Sequence, residues 1–219
     1  MNFNYKHIIW DWNGTLIDDA GLCHEIINEM LVKRNIAPIS FDTYREVFNF
    51  PVVDFYTKIG FNFEIEPFHI PAAEYIDEYN ERRFRCSLRG GATETLSFFK
   101  DADTTQSILS ASNKTSLEEA VGYYGLRTYF MDICGLDDHY AHSKIELGRE
   151  HLVNLGIAKK DAVIIGDTTH DFEVASSLGI DCILIAGGHH HKERLEACGV
   201  AVLDAISDLK KLISAYSSK

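Results

Sequence analysis

Asp11, Ser110, Lys144, Asp167 and Asp171 are scattered along the chain, yet each stands where an apolar run or a helical pattern begins or ends. Asp11 follows Ile8-Ile9-Trp10, Ser110 closes the run Ser107 to Leu109, and Asp167 follows Ala162 to Gly166. Asp171 lies one helical turn beyond Asp167, and Lys144 opens a helical pattern. If the runs are strands of one open parallel sheet, these groups collect at its carboxyl edge, where such sheets place ligands. Carboxylates from two separate strands leave room for a hard divalent ion, and oxygen ligands with waters suit Mg²⁺. The ion and Lys144 together offset Asp11, Asp167 and Asp171. Gly14 allows a sharp turn that aims backbone amides at an anion. In that setting Asp11 is placed to attack phosphorus, forming an acyl phosphate that water then cleaves. Each residue alone has a plainer reading, since carboxylates cap helices and turns, serines end strands and most lysines are solvated. Their joint order and placement is the signal.

The elements that must hold them alternate after residue 88. Short buried runs at Ser107 to Leu109, Ala162 to Ile165, Cys182 to Ile185 and Val200 to Leu203 read as parallel strands, together with His7 to Trp10. Stretches 91–101, 115–124, 144–155, 171–178 and 205–215 have helical spacing. The expected fold is α/β, an open parallel-sheet, Rossmann-like core. Residues 19–87 break the alternation with helical patterns at 20–34, 42–49, 52–59 and 71–86 and no buried strand. They are expected to form a small α-helical cap inserted after the first strand, leaving 1–18 and 88–219 as the core.

The chain has 219 residues, 46% of them apolar and 25% charged, which suits a globular protein and excludes a disordered or collagen-like one. Its net charge of −12 opposes binding to nucleic acid or to an anionic membrane, and any phosphate site needs a local cation. Five cysteines without a C-x-x-C pair give no zinc-ribbon or thioredoxin-like signal. No run approaches the ~18 apolar residues of a membrane span, so the expected location is cytoplasmic. His189-His190-His191 follows Gly187-Gly188 and reads as a loop after a strand. Oligomeric state is not legible in helix-face periodicity.

Asp11-Trp12-Asn13-Gly14-Thr15-Leu16 resembles the first motif of the haloacid dehalogenase-like hydrolases. Ser110, Lys144 and Gly166-Asp167 with Asp171 resemble the other three, and the inserted helices resemble the cap of the phosphoglycolate phosphatase-like branch. The resemblance implies a Mg²⁺-dependent phosphatase acting on a small phosphorylated metabolite. It makes Asp11 the nucleophile, supported by Thr15, with Ser110 and Lys144 holding phosphate oxygens. Asp11, Asp167 and the backbone carbonyl of Asn13 become the metal ligands, with Asp171 in support. Ser112 is a second candidate for the hydroxyl; Ser110 is preferred because it ends the apolar run.

Position 13 departs from that pattern. The family's phosphatases carry an aspartate there as general acid and base, and an asparagine amide cannot exchange a proton near neutral pH. Asp18, Asp19, His24 or His170 could supply the proton instead. A phosphonoacetaldehyde hydrolase-like C–P cleavage would need a Schiff-base lysine from the cap, such as Lys33 or Lys58. A weakly catalytic phosphate- and metal-binding regulatory module is the third reading. In the cap, Arg82, Arg83 and Arg85 are either a site for a second anionic group or a solvated face balancing Glu74, Asp77, Glu78 and Glu81.

Overall fold

The computed structural model describes residues 4–136 and 144–214. The chain begins with β1 (His7–Trp10) and β2 (Ile17–Asp18), then four helices, α1 (Ala20–Lys33), α2 (Phe41–Val47), α3 (Val52–Lys58) and α4 (His69–Arg82). Next come β3 (Ser87–Leu88), α5 (Ala92–Asp101), β4 (Thr105–Asn113), α6 (Lys114–Tyr123) and β5 (Asp132–Leu136). The remainder is α7 (Lys144–Leu155), β6 (Ala162–Gly166), α8 (Thr169–Leu178), β7 (Asp181–Ile185), α9 (Lys192–Glu196), β8 (Ala201–Leu203) and α10 (Leu209–Ser214).

Six strands form one parallel sheet in the order β5-β4-β1-β6-β7-β8. Strand order reverses at β1, so the crevice that an open α/β sheet offers to ligands lies beyond Trp10. Alternation of period two divides each central strand between two cores. Ile8, Trp10, Val163, Ile165, Ile183 and Ile185 face α5, α6 and α10. Ile9, Ala162, Ile164, Cys182 and Leu184 face α7, α8 and α9. Strands apolar on both faces read as continuous runs, which is why β1, β6 and β7 are visible in the sequence.

β5 is not, and the expected strand list lacks it. It is an edge strand whose Asp132, Cys134 and Leu136 are only half-buried, so no unbroken apolar run marks it. β4 also runs past its expected end, to Asn113, because its register against β5 shifts between Leu109 and Asn113. Ser110 therefore lies inside the irregular stretch rather than at the end of the strand. The pattern 205–215 resolves into a 3-10 turn, Ile206–Asp208, followed by α10.

Between β2 and β3 the helices α1–α4 build a third apolar cluster of their own. In α1, Cys23, Ile26, Ile27, Met30 and Leu31 are buried, the i, i+3, i+4, i+7, i+8 stripe of a helix packed on one side. α4 starts two residues before Pro71, whose missing N–H falls among the first-turn donors that lack intrahelical partners. It ends at Arg82, giving way to the 3-10 turn Arg83–Arg85 where a continuous helix to 86 is expected. The chain enters and leaves the helical layer through an antiparallel pairing of β2 with β3, in which Ile17 faces Leu88.

Candidate active site

Asp11 leaves β1 at the carboxyl edge, its amide bonded to the Ile165 carbonyl at 2.9 Å. The turn after it depends on Gly14, which has φ +70° and whose amide donates to Asp19 Oδ1 at 2.8 Å. A Cβ on Gly14, or on Gly188 in the facing loop, would overlap the Asp167 carboxylate. These two glycines therefore let two loops close on Asp167 from opposite sides.

Lys144 Nζ, at the first residue of α7, donates to Asp11 Oδ1 and to Asp171 Oδ1, both at 2.6 Å. Thr15 Oγ1 donates to Asp167 Oδ1 at 2.9 Å and approaches Asp11 Oδ2 at 3.4 Å. Asp167 Oδ2 accepts from the His189 amide at 2.6 Å. Asp171 sits in the first turn of α8, where Oδ2 accepts from the Thr168 amide at 3.0 Å and its hydroxyl at 2.7 Å. Asp11, Asn13, Thr15, Asp167, Asp171, Lys144 and Ser110 all converge on the β1 edge. The two serines divide their work. Ser112 Oγ donates to Asn13 Oδ1 at 2.7 Å, whereas Ser110 Oγ accepts from the Ser112 amide at 3.1 Å and keeps its proton for another acceptor.

Asp11, Asp167 and Asp171 share this buried space with Lys144, leaving two negative charges in excess. Burial pushes the Asp11 carboxyl up to about 7 against the pull of Lys144. Burial likewise raises Asp167, against His189. Burial also disfavours the charge on Asp171, but Lys144 and Thr168 more than compensate and hold it below the usual carboxylate range. One oxygen from each carboxylate lies within 4.8 Å of the others. An all-oxygen donor set with this charge deficit fits a hard divalent cation such as Mg²⁺.

Of the four groups that could replace an acid at position 13, one is bonded to Asn13. Asn13 Nδ2 donates to Asp19 Oδ2 at 2.6 Å and to the Tyr79 hydroxyl at 2.7 Å, and that hydroxyl donates to Asp19 Oδ2 at 2.6 Å. Asp18 is exposed on β2. His24 Nε2 lies 2.8 Å from the Ile39 carbonyl, away from the sheet edge. His170 lines the cavity above the site with Nδ1 3.1 Å from Glu173.

The sequence reading missed His189. Its Nε2 lies 3.4 Å from Asp19 Oδ1 and its Nδ1 2.8 Å from the Tyr44 hydroxyl. Burial opposes a charge on this ring, but Asp19 and then Asp167 raise it to about 9. For Asp19, burial is outweighed by His189, Tyr79 and Asn13, which hold the carboxyl below its ordinary value. The signal was present: His189 follows an apolar run and two glycines at the same carboxyl edge that exposed Asp11 and Asp167.

A cavity of about 980 Å³ lies between the sheet edge and the helical layer. Asp11, Ser110 and Lys144 line it from the sheet, and Phe48, Phe50, Tyr75 and Tyr79 from the helices. Lys33 is 70% exposed and paired with Glu74 at 2.7 Å, Lys58 is exposed, and neither lines the cavity. The arginines at the return to the core are largely committed. Arg82 is buried against Glu25 and Glu29, and Arg83 against Glu119 and the Ser116 carbonyl. Arg85 is exposed. Among the described residues, no helix is long and apolar enough to cross a membrane.

Comparison with known proteins agrees with this geometry. A "predicted phosphatase" of Clostridium acetobutylicum superposes with a TM-score of 0.82 at 22% identity, over 94% of this chain and 97% of the other. "Probable phosphatase IndB" of Dickeya dadantii is 29% identical over 122 residues, 54% of this chain and about half, 53%, of that protein. The phosphoglycolate phosphatase of Rhodobacter capsulatus is 23% identical over 189 residues, 83% of this chain and 84% of the other. The family model described as haloacid dehalogenase-like hydrolase matches residues 8–185, and with its parallel sheet and converging carboxylates the chain belongs to that family of enzymes.

Proposed function

We propose that this hydrolase is a phosphatase that cleaves phosphoric monoesters of small metabolites through an aspartyl-phosphate on Asp11. The observation that carries the reading is the state of Asp11 itself. Lys144 holds Oδ1, while Thr15 approaches Oδ2 only at 3.4 Å, and Asp11, Ser110 and Lys144 together line the cavity. A carboxylate so fixed, with one oxygen only loosely held in a lysine-lined cavity, is a positioned nucleophile. Residues 19–87 act as a cap that excludes water while the acyl phosphate forms.

Asp11, Asp167 and the Asn13 carbonyl would hold Mg²⁺, with Asp171 in support. When bound, the ion neutralises charge on the transferring phosphoryl oxygens. Ser110 and Lys144 donate to phosphoryl oxygens, and Thr15 keeps Asp167 oriented. As Asp11 bonds to phosphorus, the bond to the leaving oxygen breaks and that oxygen needs a proton. The Asn13 amide hydrogen-bonds but does not exchange one, and Asp19 beside it is held ionised, so the role falls to His189, the ring that Asp19 keeps charged and that lines the cavity. Water then attacks the acyl phosphate, releasing phosphate and restoring Asp11.

Phosphate release from a broad ester panel, with and without Mg²⁺ and with Asp11→Asn as the blank, tests the reading. Metal-dependent release that Asp11→Asn abolishes is expected; release that survives that substitution overturns it.

A further inference from the structure

We infer that the alcohol released by this site carries a planar aromatic or heteroaromatic ring and no negative charge, a nucleoside 5′-monophosphate being the simplest ester of that chemistry. The inference rests on the phosphatase reading and specifies what the same site selects.

Three observations support it. The cavity, about 980 Å³, is at the upper end of the range for sites that enclose drug-sized ligands. At about 30 Å³ per molecule it has room for some thirty waters, far more than a two-carbon phosphorylated acid displaces. Second, aromatic side chains from separate elements wall it. Phe48 and Phe50 come from the link between α2 and α3, and Tyr75 and Tyr79 from α4, where their rings stack at 6.1 Å and 12°. Phe50 in turn lies against the His170 ring at 4.7 Å. Half-buried rings lining one cavity from separate elements favour a flat apolar ligand surface.

Third, the charges are wrong for an acidic leaving group. Among the described residues lining the cavity, the cations are Lys144, held by Asp11 and Asp171, Arg83, held by Glu119 and the Ser116 carbonyl, and the His189 ring, paired with Asp19. Away from the phosphate end the lining includes the carboxylates Asp77 and Glu173, both exposed. A substrate carboxylate there would meet repulsion and no uncommitted arginine or lysine.

The test compares phosphate release from uridine and adenosine 5′-monophosphates and pyridoxal 5′-phosphate with release from glycerol 3-phosphate and 2-phosphoglycolate. Acetyl phosphate, which offers neither a ring nor a poor leaving group, reports separately on the phosphatase reading. Expected is a kcat/KM at least tenfold higher for the ring esters, with nucleotides and pyridoxal phosphate distinguishing the two ring sources. Phe50→Ala should lower the ratio of ring-ester to glycerol-phosphate kcat/KM about tenfold, the usual scale for one lost stacking surface. Preference for either small ester, or a ratio unmoved by Phe50→Ala, overturns the inference. If neither acetyl phosphate nor any of these esters is cleaved, the phosphatase reading fails. Ring selection is then decided by calorimetric titration with uridine 5′-monophosphate: binding weakened by Phe50→Ala sustains it, and no binding to the wild type, or binding unmoved by Phe50→Ala, overturns it.

Discussion

Asn13 and Asp19 share a 2.6 Å hydrogen bond in which the amide donates and the carboxylate accepts. The pairing defines what Asn13→Asp would do. Two carboxylates at that distance cannot both ionise without cost, and Asp19 already binds Tyr79 and the Gly14 amide. Asn13→Asp alone should therefore lower the thermal midpoint by several degrees without a large gain in turnover, while Asn13→Asp with Asp19→Asn restores the midpoint. Differential scanning calorimetry and phosphate release check both, and additive effects of the two changes would refute the coupling. Asp19→Asn alone should slow esters with poor leaving groups at least tenfold more than acetyl phosphate, because Asp19 keeps the His189 ring charged and only the former need a proton at the leaving oxygen. A purely structural role would slow both equally.

At the scale of elements, the helical layer is stabilised by its own apolar cluster, and only the short β2–β3 pairing joins it to the core along the chain. Ile26 is fully buried in α1, and Ile26→Ala should cost about 2–4 kcal/mol through lost contacts and an unfilled cavity. Because α1–α4 bury this cluster largely among themselves, hydrogen exchange should accelerate across those helices well before it does in β1, β4 and β6. Uniform acceleration would mean that the layer and the sheet open as one unit. The irregular stretch of β4 has a comparable local role. By shifting register between Leu109 and Asn113 it presents Ser110 and Ser112 on the same edge with different partners.

For the whole molecule, a chain of polar groups crosses the sheet beneath the apolar faces. His7 lies 2.8 Å from both Thr105 Oγ1 and Ser107 Oγ, and His151 lies 2.7 Å from the same Ser107 hydroxyl. Burial, and then the neighbouring His151, lowers His7 to about 4. A histidine held neutral in the fold binds fewer protons than in the unfolded chain between pH 6.5 and 4, so its contribution is full above that window and lost as pH falls through it. The loss is on the order of 3 kcal/mol. Urea unfolding at pH 7, 5.5 and 4.5 should show a shallower decline for His7→Gln than for the wild type; parallel declines would exclude His7 as a cause. Mg²⁺ should stabilise the wild type by about 2.7 kcal/mol at a hundredfold excess over its Kd, and Asp167→Asn should remove that gain.

Residue identity and spacing alone were sufficient for β1, β6 and β7 and for the placement of the polar residues that follow β1 and β6. Strands buried on both faces must be continuous apolar runs, and the polar residue that ends each run marks the edge. The helical character of 20–34 was equally plain, because a helix packed on one side repeats every three to four residues. Edge strand β5 was not legible, since half its side chains meet solvent and its pattern is that of a loop. Nor was the partner of Asn13. Asp19 was one of four candidates equivalent in sequence, and only the turn at Gly14 and the approach of Tyr79 from α4 distinguish it. His189, the commitment of Arg82 and Arg83 to ion pairs, and the aromatic walls of the cavity likewise arise between segments tens to more than a hundred residues apart. Local pattern reports how each segment is buried, whereas charge pairing and cavity shape depend on which segments meet, and the tertiary structure alone decides that.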